Sequence, residues 1–167
     1  MTETMTVVQE AAKNAVRTFV DAWNRPEGSD PQTPRDPALV AVLLSDAAAG
    51  FEWFDKRLDL SLTTVDQVTA LVEAWLTAFP DLTVAVAEEP EYCTEGNFEG
   101  GCLQFTGTHT GLLRLGGMEL APTGASINLV TRFSGDTDEE GKISWFNTNI
   151  DIAELRDQLF AAAPTAE

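Results

Sequence analysis

Three stretches of the chain carry apolar residues at the spacing of one helical face, and each predicts an amphipathic helix. In chain order they are residues 7–23, 65–79 and 151–163. Thr63 or Thr64 can cap the second of these helices, and Pro80 stops it. Asp151 stands where it can cap the third.

The segment between the first two of these helices is irregular at its start. The run PEGSDPQTPRDP holds four prolines in twelve residues, so no regular element can cross it. The apolar stretch ALVAVLLSDAA then predicts a second, short helix, because Asp36 can cap it and Pro37 can occupy its first turn.

Five stretches have the aromatic content or the alternation that favours strands. FEWFDKRLDLSL (51–62) precedes the helix over 65–79. The other four follow Pro80 and are DLTVAVAEEPEYC, CLQFTGTHTGLLRL, ASINLVTRFSG and KISWFNTNIDI, separated by a glycine-rich turn, by GGMELAPTG and by DTDEEG. Consecutive late strands joined by hairpin-type turns indicate an α+β fold, in which helices pack on one face of a curved antiparallel sheet.

Length and charge limit the kinds of partner. A chain of 167 residues is one domain by length, and we expect residues 1–6 and 161–167 to be flexible tails. The formal net charge of −17 repels nucleic acid and anionic membrane surfaces. The sequence has neither a secretory signal nor an apolar run of membrane-spanning length, so we expect a soluble, cytoplasmic protein.

Metal binding is not predicted. Two cysteines, Cys93 and Cys102, and one distant histidine supply too few ligands for a zinc site. The two thiols are nine residues apart and can face each other across a hairpin, so both a disulfide and two reduced thiols stay open.

Six short motifs in register resemble the SnoaL-like polyketide cyclase family, within the nuclear transport factor two-like superfamily. They are AFPDL (78–82), EG (95–96), GTHTG (107–111), PTG (122–124), EGKI (140–143) and ID…L..QL (150–159). The resemblance implies a cone-shaped sheet with the N-terminal helices packed on its concave face. It also implies a deep apolar pocket between the sheet and the helices, and a homodimer formed through the open sheet face.

His109, the only histidine, lies at the centre of GTHTG. It shares strand parity with Leu103 and Phe105, so all three side chains point to the same face of the sheet. In the cyclases that the chain resembles, a pocket histidine and an aspartate handle a proton next to a carbonyl, and His109 matches that histidine. The alternative is a structural role, in which the histidine and its threonines satisfy backbone groups at a bend marked by two glycines.

The remaining candidate site residues come from the strands on either side. No carboxylate lies on the strand SINLVTRF, where the cyclase pattern has one, so Asp55 is the candidate partner of His109. Asn147 can bind a ligand carbonyl, although it stands where limonene epoxide hydrolases, which this region also resembles, have a water-activating aspartate. The candidate substrate-binding residues are Trp53, Phe105, Trp145, Asn149 and Arg132.

Together these observations predict an enzyme of the SnoaL-like type that needs neither metal nor organic cofactor. It would carry out general acid–base chemistry of the cyclase, isomerase or lyase kind on a small hydrophobic, oxygenated molecule, with His109 as the base and Asp55 or Asn147 orienting it or the substrate. The alternative is a ligand-binding or dimerisation module of the same fold without catalytic activity. Fold alone does not decide between the two functions.

Overall fold

Three helices and nine strands account for most of the residues that the structure describes. The structure is a computed structural model, and it describes residues 5–25, 28, 35–36, 44, 51–115 and 117–161. The helices are α1 (Val7–Trp23), α2 (Val65–Ala78) and α3 (Ile152–Ala161). The strands are β1 (Glu52–Asp55), β2 (Leu60–Leu62), β3 (Thr83–Glu88), β4 (Glu91–Tyr92), β5 (Asn97–Thr108), β6 (Leu113–Leu115), β7 (Met118–Leu120), β8 (Ser126–Thr137) and β9 (Ile143–Thr148).

Seven strands form one curved sheet in the order β2-β1-β9-β8-β5-β3, with β4 also paired to β5. The α+β class and the curved sheet with helices on one face are confirmed. The sheet is mixed rather than wholly antiparallel, because β1 pairs in parallel with β9 while the other pairs are antiparallel. The long strands β5 and β8 pair along most of their length and form its centre.

The helix starts follow from the capping residues. Thr6 and Thr64 each accept a hydrogen bond from the backbone of a glutamine three positions later, and that glutamine side chain bonds back to the cap. Asp151 caps α3 by accepting from Glu154 N at 3.1 Å. Thr6 lies in the segment predicted to be a tail, but it forms part of the first helix cap.

Three local predictions differ from the structure. The stretch 51–62 forms two strands, because a turn at 56–59 with Asp59 at φ 53° reverses the chain between them. The predicted single strand CLQFTGTHTGLLRL forms two strands, because β5 ends at Thr108 and β6 pairs with β7, contributed by GGMELAPTG, in a separate two-stranded sheet. The predicted short helix over 38–48 lies outside the described residues except for Leu44, which forms a parallel β-bridge to Ile143 and is not helical there.

The hydrophobic core lies between the helices and the concave face of the sheet. Alternation along β8 places Ile127, Leu129, Thr131 and Phe133 inside and the residues between them outside. α1 and α2 cover the inner face with their apolar stripes, which include Phe19, Trp23 and Trp75. The face toward solvent carries the polar residues of β5, β8 and β9 together with Val130.

Candidate functional site

His109 lies immediately after β5, with its side chain buried among core residues. Its relative exposure is 0%, and those of Leu103 and Phe105 on the same strand are 1% and 2%. The parity argument is therefore confirmed for all three side chains. The imidazole packs against the ring of Phe79, with the ring centroids 5.4 Å apart.

The PTG motif holds His109 in place. Two backbone hydrogen bonds close the base of the β6–β7 hairpin. His109 N donates to Ala125 O and Gly124 N donates to His109 O, both at 2.8 Å. On the side chain, Thr123 N donates to Nδ1 at 3.2 Å, and Thr123 Oγ1 lies 3.0 Å from the same nitrogen. The Nδ1 edge of the imidazole is thus fixed by a residue fourteen positions later in the chain.

The AFPDL motif holds the same corner from the other side. Ala78 O, at the end of α2, accepts from the backbone N–H groups of Thr110 and Gly111, both at 3.1 Å. The Asp81 carboxylate accepts from Thr108 N and Thr108 Oγ1 at 2.7 and 2.8 Å. Three of the six motifs therefore meet at one corner of the fold, with His109 at its centre.

Gly111 is required by this close approach. A Cβ added at Gly111 would lie 1.9 Å from the backbone oxygen of Thr77, which real Cβ atoms do not tolerate. Because the obstacle is helical backbone rather than a flexible side chain, no rotamer change relieves the clash.

The tautomer of His109 follows from its hydrogen bonds. A backbone N–H can only donate, so Nδ1 of His109 must accept from Thr123 and carry no hydrogen. In the neutral ring the hydrogen then resides on Nε2, which is buried and has no hydrogen-bond partner. Burial lowers the pKa of His109, and a weak hydrogen-bonding interaction with the Gly111 backbone raises it in part. The site thus presents a neutral imidazole whose buried Nε2 lacks a well-formed hydrogen bond.

Asp55 is not brought together with His109. Asp55 pairs with Thr148 on β9, and Thr148 pairs with Phe133 on β8. Thr108, next to His109, is opposite Ser126 on the same strand. Seven positions of β8 separate Phe133 from Ser126, a path of about 24 Å at the usual strand rise.

Asp55 instead accepts three hydrogen bonds within its own end of the sheet. Oδ1 accepts from Leu58 N at 3.0 Å, while Oδ2 accepts from Thr148 Oγ1 at 2.7 Å and Ile150 N at 3.0 Å. The carboxylate is fully buried, and these bonds join the β1–β2 turn to the exit of β9. Asp55 therefore acts as a structural acceptor in this arrangement.

Of the candidate substrate-binding residues, Trp53 and Phe105 lie on the inner face. The Trp53 indole donates to Thr148 Oγ1 at 3.0 Å and packs edge-on against Phe146. Phe105 lies between two tryptophans, with centroids 6.0 Å from Trp23 and 5.4 Å from Trp75. Both residues belong to the aromatic core.

The other four polar or aromatic candidates lie on the outer face. On β9 the inward residues are Phe146, Thr148 and then Ile150, so the alternate set of Trp145, Asn147 and Asn149 points outward. The side-chain amide of Asn147 donates to Phe54 O at 3.3 Å, so it has a partner within the protein. Arg132 is exposed opposite Cys102, and no salt bridge to it forms within the described part of the chain. The structure thus places these four side chains on the face away from the core, and period two alone does not say which parity faces the core.

Comparison with solved structures gives the fold a name. The chain superposes on a protein assigned to the SnoaL-like polyketide cyclases from Jannaschia sp. CCS1, with a TM-score of 0.71 and 16% identity over 98% of this chain and 99% of that one. AclR from Streptomyces galilaeus, assigned as a hydroxylase, gives a TM-score of 0.67 and 22% identity over 95% and 86% of the two chains. An NTF2-like protein from Exiguobacterium sp. 255-15 gives a TM-score of 0.57 and 13% identity over 83% of this chain and 98% of that one. The chain has the NTF2-like fold. Neither a protein-family model nor a curated protein sequence matches it.

The sequence pattern predicts His109 as a site residue but does not predict which residues contact it. Thr123 and Phe79 contact the imidazole, and each belongs to a motif that had been noted only as part of the family pattern. The occurrence of PTG, AFPDL and GTHTG together in one chain is the sequence feature that could have indicated these contacts. The SnoaL-like resemblance is confirmed at the level of the fold.

Other site types find little support in the described residues. Across residues 51–115 and 117–161 and the shorter described segments, no three His, Cys, Asp or Glu side chains come together as a metal centre requires. No described helix is both long and apolar enough to cross a bilayer. Cys93 and Cys102 are both free thiols, since Cys93 lies beside Asn97 and Cys102 is opposite Glu88.

Proposed function

We propose that the protein is a cofactor-independent enzyme that acts on a hydrophobic, oxygenated small molecule by general acid–base chemistry of the cyclase or isomerase type. The observation that carries this proposal is Nε2 of His109, a buried ring nitrogen that no described protein group bonds. Buried polar atoms without partners are rare, and they mark places where a ligand can complete the hydrogen bonding.

The hydrogen bonds of the ring change the role that we expect for His109. With Nδ1 occupied by Thr123, the neutral imidazole offers an N–H rather than a lone pair at Nε2. It would therefore donate to a ligand carbonyl oxygen instead of acting as the base. A neutral imidazole can polarise a carbonyl in this way, which stabilises the negative charge that develops on the oxygen when water or hydroxide from solvent takes a proton from the neighbouring carbon.

A second candidate function is a ligand-binding module without catalysis. Among the described residues, no hydrogen bond or salt bridge joins a carboxylate to the His109 ring, and the buried carboxylate of Asp55 already accepts three protein hydrogen bonds. A histidine without a paired base favours binding of a carbonyl compound over its conversion.

Hydrogen–deuterium exchange at the carbons beside a ketone carbonyl distinguishes the two functions without knowledge of the natural substrate. The probe is 4-cyclohexylcyclohexanone in D2O, and deuterium uptake at the carbons beside its carbonyl is followed by mass spectrometry. The enzyme proposal predicts that the wild-type protein accelerates uptake over buffer. Binding of the ketone with uptake at the buffer rate would instead support the module.

Two variants of His109 provide matched controls for this assay. His109→Asn keeps an acceptor near the position of Nδ1 and removes the donor at Nε2. We expect it to lose about 100-fold of the acceleration, the scale found when one donor to a developing oxyanion is removed. His109→Gln keeps an N–H near Nε2 and gives up the Thr123 contact, so it should retain more of the activity at lower stability. Equal activity in all three proteins would remove His109 from the proposal.

The homodimer remains part of the proposal, as does the cytoplasmic location. The outer sheet face carries Val130, which is 53% exposed, on the same side as the half-buried Trp145. A single exposed apolar side chain is ordinary on a protein surface, so the homodimer rests on the family resemblance.

A further inference from the structure

A side chain outside the core, Asp81, holds the residue that precedes His109. Its Oδ1 accepts from Thr108 N at 2.7 Å and its Oδ2 accepts from Thr108 Oγ1 at 2.8 Å, although Asp81 itself is exposed. The end of β5 lies directly under this carboxylate, since a Cβ added at Gly107 would be 3.2 Å from both Asp81 Oδ1 and Phe79 Cβ. The carboxylate therefore fixes the last residues of β5 immediately before the imidazole.

The backbone N–H groups of residues 108–111 fix the course of the chain through His109. Three of them donate to backbone oxygens, those of Ala78 and Ala125. The fourth, Thr108 N, donates to the Asp81 side chain. A substitution at Asp81 can therefore remove one of these four contacts and leave the backbone partners of the other three in place.

Asp81 belongs to a four-residue turn, 79–82, that contacts the His109 segment twice. The turn is closed by Leu82 N, which donates to Phe79 O at 2.9 Å. Its first residue, Phe79, packs against the imidazole, and its third, Asp81, holds the residue before the imidazole. A displacement of Thr108 from the turn would therefore also move the ring relative to Phe79.

Arg35 anchors the turn that presents this carboxylate. Its guanidinium donates to the carbonyl oxygens on both sides of Asp81, at 2.7 Å to Pro80 O and also to Leu82 O, and at 2.7 Å to Trp23 O. Burial, and to a lesser degree a neighbouring arginine, lowers the pKa of Arg35 to about 10, so the side chain is charged at neutral pH. The carboxylate thus projects from a backbone that is itself held in place.

We propose that Asp81 is a positioning residue for the His109 site, because its grip on Thr108 keeps Nδ1 within reach of Thr123 N and so keeps the hydrogen on Nε2. The Thr123 N to Nδ1 distance of 3.2 Å is at the long end of the usual range, so a small displacement of the ring breaks that bond. This inference rests on the proposed function, which needs the Nε2 hydrogen as the donor to a ligand oxygen. Asp81 acts through Thr108 and does not contact the ligand.

Variants of Asp81 are compared by 15N NMR of the single histidine in the free protein. The separation between the Nδ1 and Nε2 signals is largest for one fixed tautomer and narrows when two tautomers exchange. Asp81→Ala removes both acceptors, so it should narrow the separation. It should also slow deuterium uptake into 4-cyclohexylcyclohexanone by about 10–100-fold, the scale found when a reacting group is displaced by about 1 Å.

Two further variants separate geometry from charge and from stability. Asp81→Asn keeps an oxygen for Thr108 N and an NH2 group that can donate to Thr108 Oγ1, so it should retain the wild-type separation and most of the exchange rate. Thr108→Val removes the hydroxyl contact alone and should narrow the separation to a smaller extent. It tests the same contact if Asp81→Ala is too unstable to study.

Asp138 provides a matched control far from the site. Its carboxylate also holds backbone N–H groups of a turn, those of Glu140 and Lys142, both at 2.9 Å. It follows the end of β8 that lies away from the pairing of Ser126 with Thr108. Asp138→Ala should lower the urea midpoint, yet leave the imidazole signals and the exchange rate at their wild-type values.

The outcomes distinguish this inference from the proposed function. Wild-type ring signals in both Asp81→Ala and Thr108→Val overturn the inference, and so does an equal change in Asp81→Asn or in Asp138→Ala. The ring signals are read without ligand, whereas the proposed function fails if the wild-type protein does not accelerate deuterium uptake. If the ring signals change as expected in an inactive wild-type background, Asp81 still positions the imidazole and the proposed function alone is contradicted.

Discussion

Replacing the buried carboxylate of Asp55 by an isosteric amide tests whether this residue is structural or catalytic. In Asp55→Asn the side-chain oxygen can still accept from Thr148 and Ile150, which leaves the amide NH2 facing the N–H of Leu58. The Leu58 N–H then loses its acceptor and the introduced NH2 group has none either, and two charge-assisted hydrogen bonds become neutral ones. The substitution therefore acts on three hydrogen bonds at once.

The expected loss of stability can be estimated bond by bond. An unsatisfied buried donor costs about 1–3 kcal/mol, and each bond to a neutral rather than a charged acceptor is weaker by about 1 kcal/mol. With two unsatisfied donors and two weakened bonds, the free energy of unfolding should therefore fall by at least about 4 kcal/mol, a large part of the stability of a typical domain.

Urea unfolding followed by tryptophan fluorescence measures this loss. With a slope of about 2 kcal/mol per M, the midpoint of Asp55→Asn should lie at least about 2 M below that of the wild type. Asp157→Asn, which removes the same charge from the exposed side of α3, should shift stability by less than about 0.5 kcal/mol. If Asp55→Asn stays within about 1 kcal/mol of the wild type while ketone exchange disappears, Asp55 is catalytic and our interpretation is refuted.

Three further changes have defined outcomes. Because burial holds the pKa of His109 below its usual 6.5, the unfolded chain binds a proton that the folded chain does not, and the free energy of unfolding should fall as pH falls below about 6.5. His109→Asn should lose this part of the pH dependence in urea titrations from pH 5 to 8, and an unchanged dependence would contradict the assignment. Gly111→Ala places a methyl group against Thr77 O and should lower the free energy of unfolding by more than about 3 kcal/mol. Gly100→Ala, at φ +76° with open space around it, should lower it by only about 1 kcal/mol. Similar losses of stability in the two variants would rule out the clash. Val130→Asp on the outer sheet face should convert a dimer to a monomer in light scattering, and a wild-type protein that is already monomeric would remove the homodimer from the proposal.

Much of the secondary structure could be predicted because hydrophobic periodicity is local. The first helix was expected over 7–23 and is found there, and the second ends within a residue of its predicted limit. Strand parity was enough to place the His109 side chain in the core, since Leu103 and Phe105 fix which face of β5 points inward.

The rest of the site depends on pairings that periodicity does not contain. On β9 both parities include an aromatic residue, Trp145 on one and Phe146 on the other, so the pattern could not tell the inner face from the outer one. Two of the three partners of Asp55, Thr148 and Ile150, lie more than ninety positions away and meet it only through the parallel pairing of β1 with β9. Thr123 reaches His109 across the β6–β7 hairpin, which the sequence pattern predicts as the end of one strand followed by a connection.

The most direct test of the account is 15N NMR of the imidazole, because the chain contains a single histidine and its two ring nitrogens give unambiguous signals. With 15N-histidine, the account predicts a neutral ring at pH 7 with the hydrogen on Nε2 and an unprotonated Nδ1, and a shift of the Nε2 signal when 4-cyclohexylcyclohexanone is added. A hydrogen on Nδ1, a ring that is charged at pH 7, or an Nε2 signal that the bound ketone does not move would contradict it.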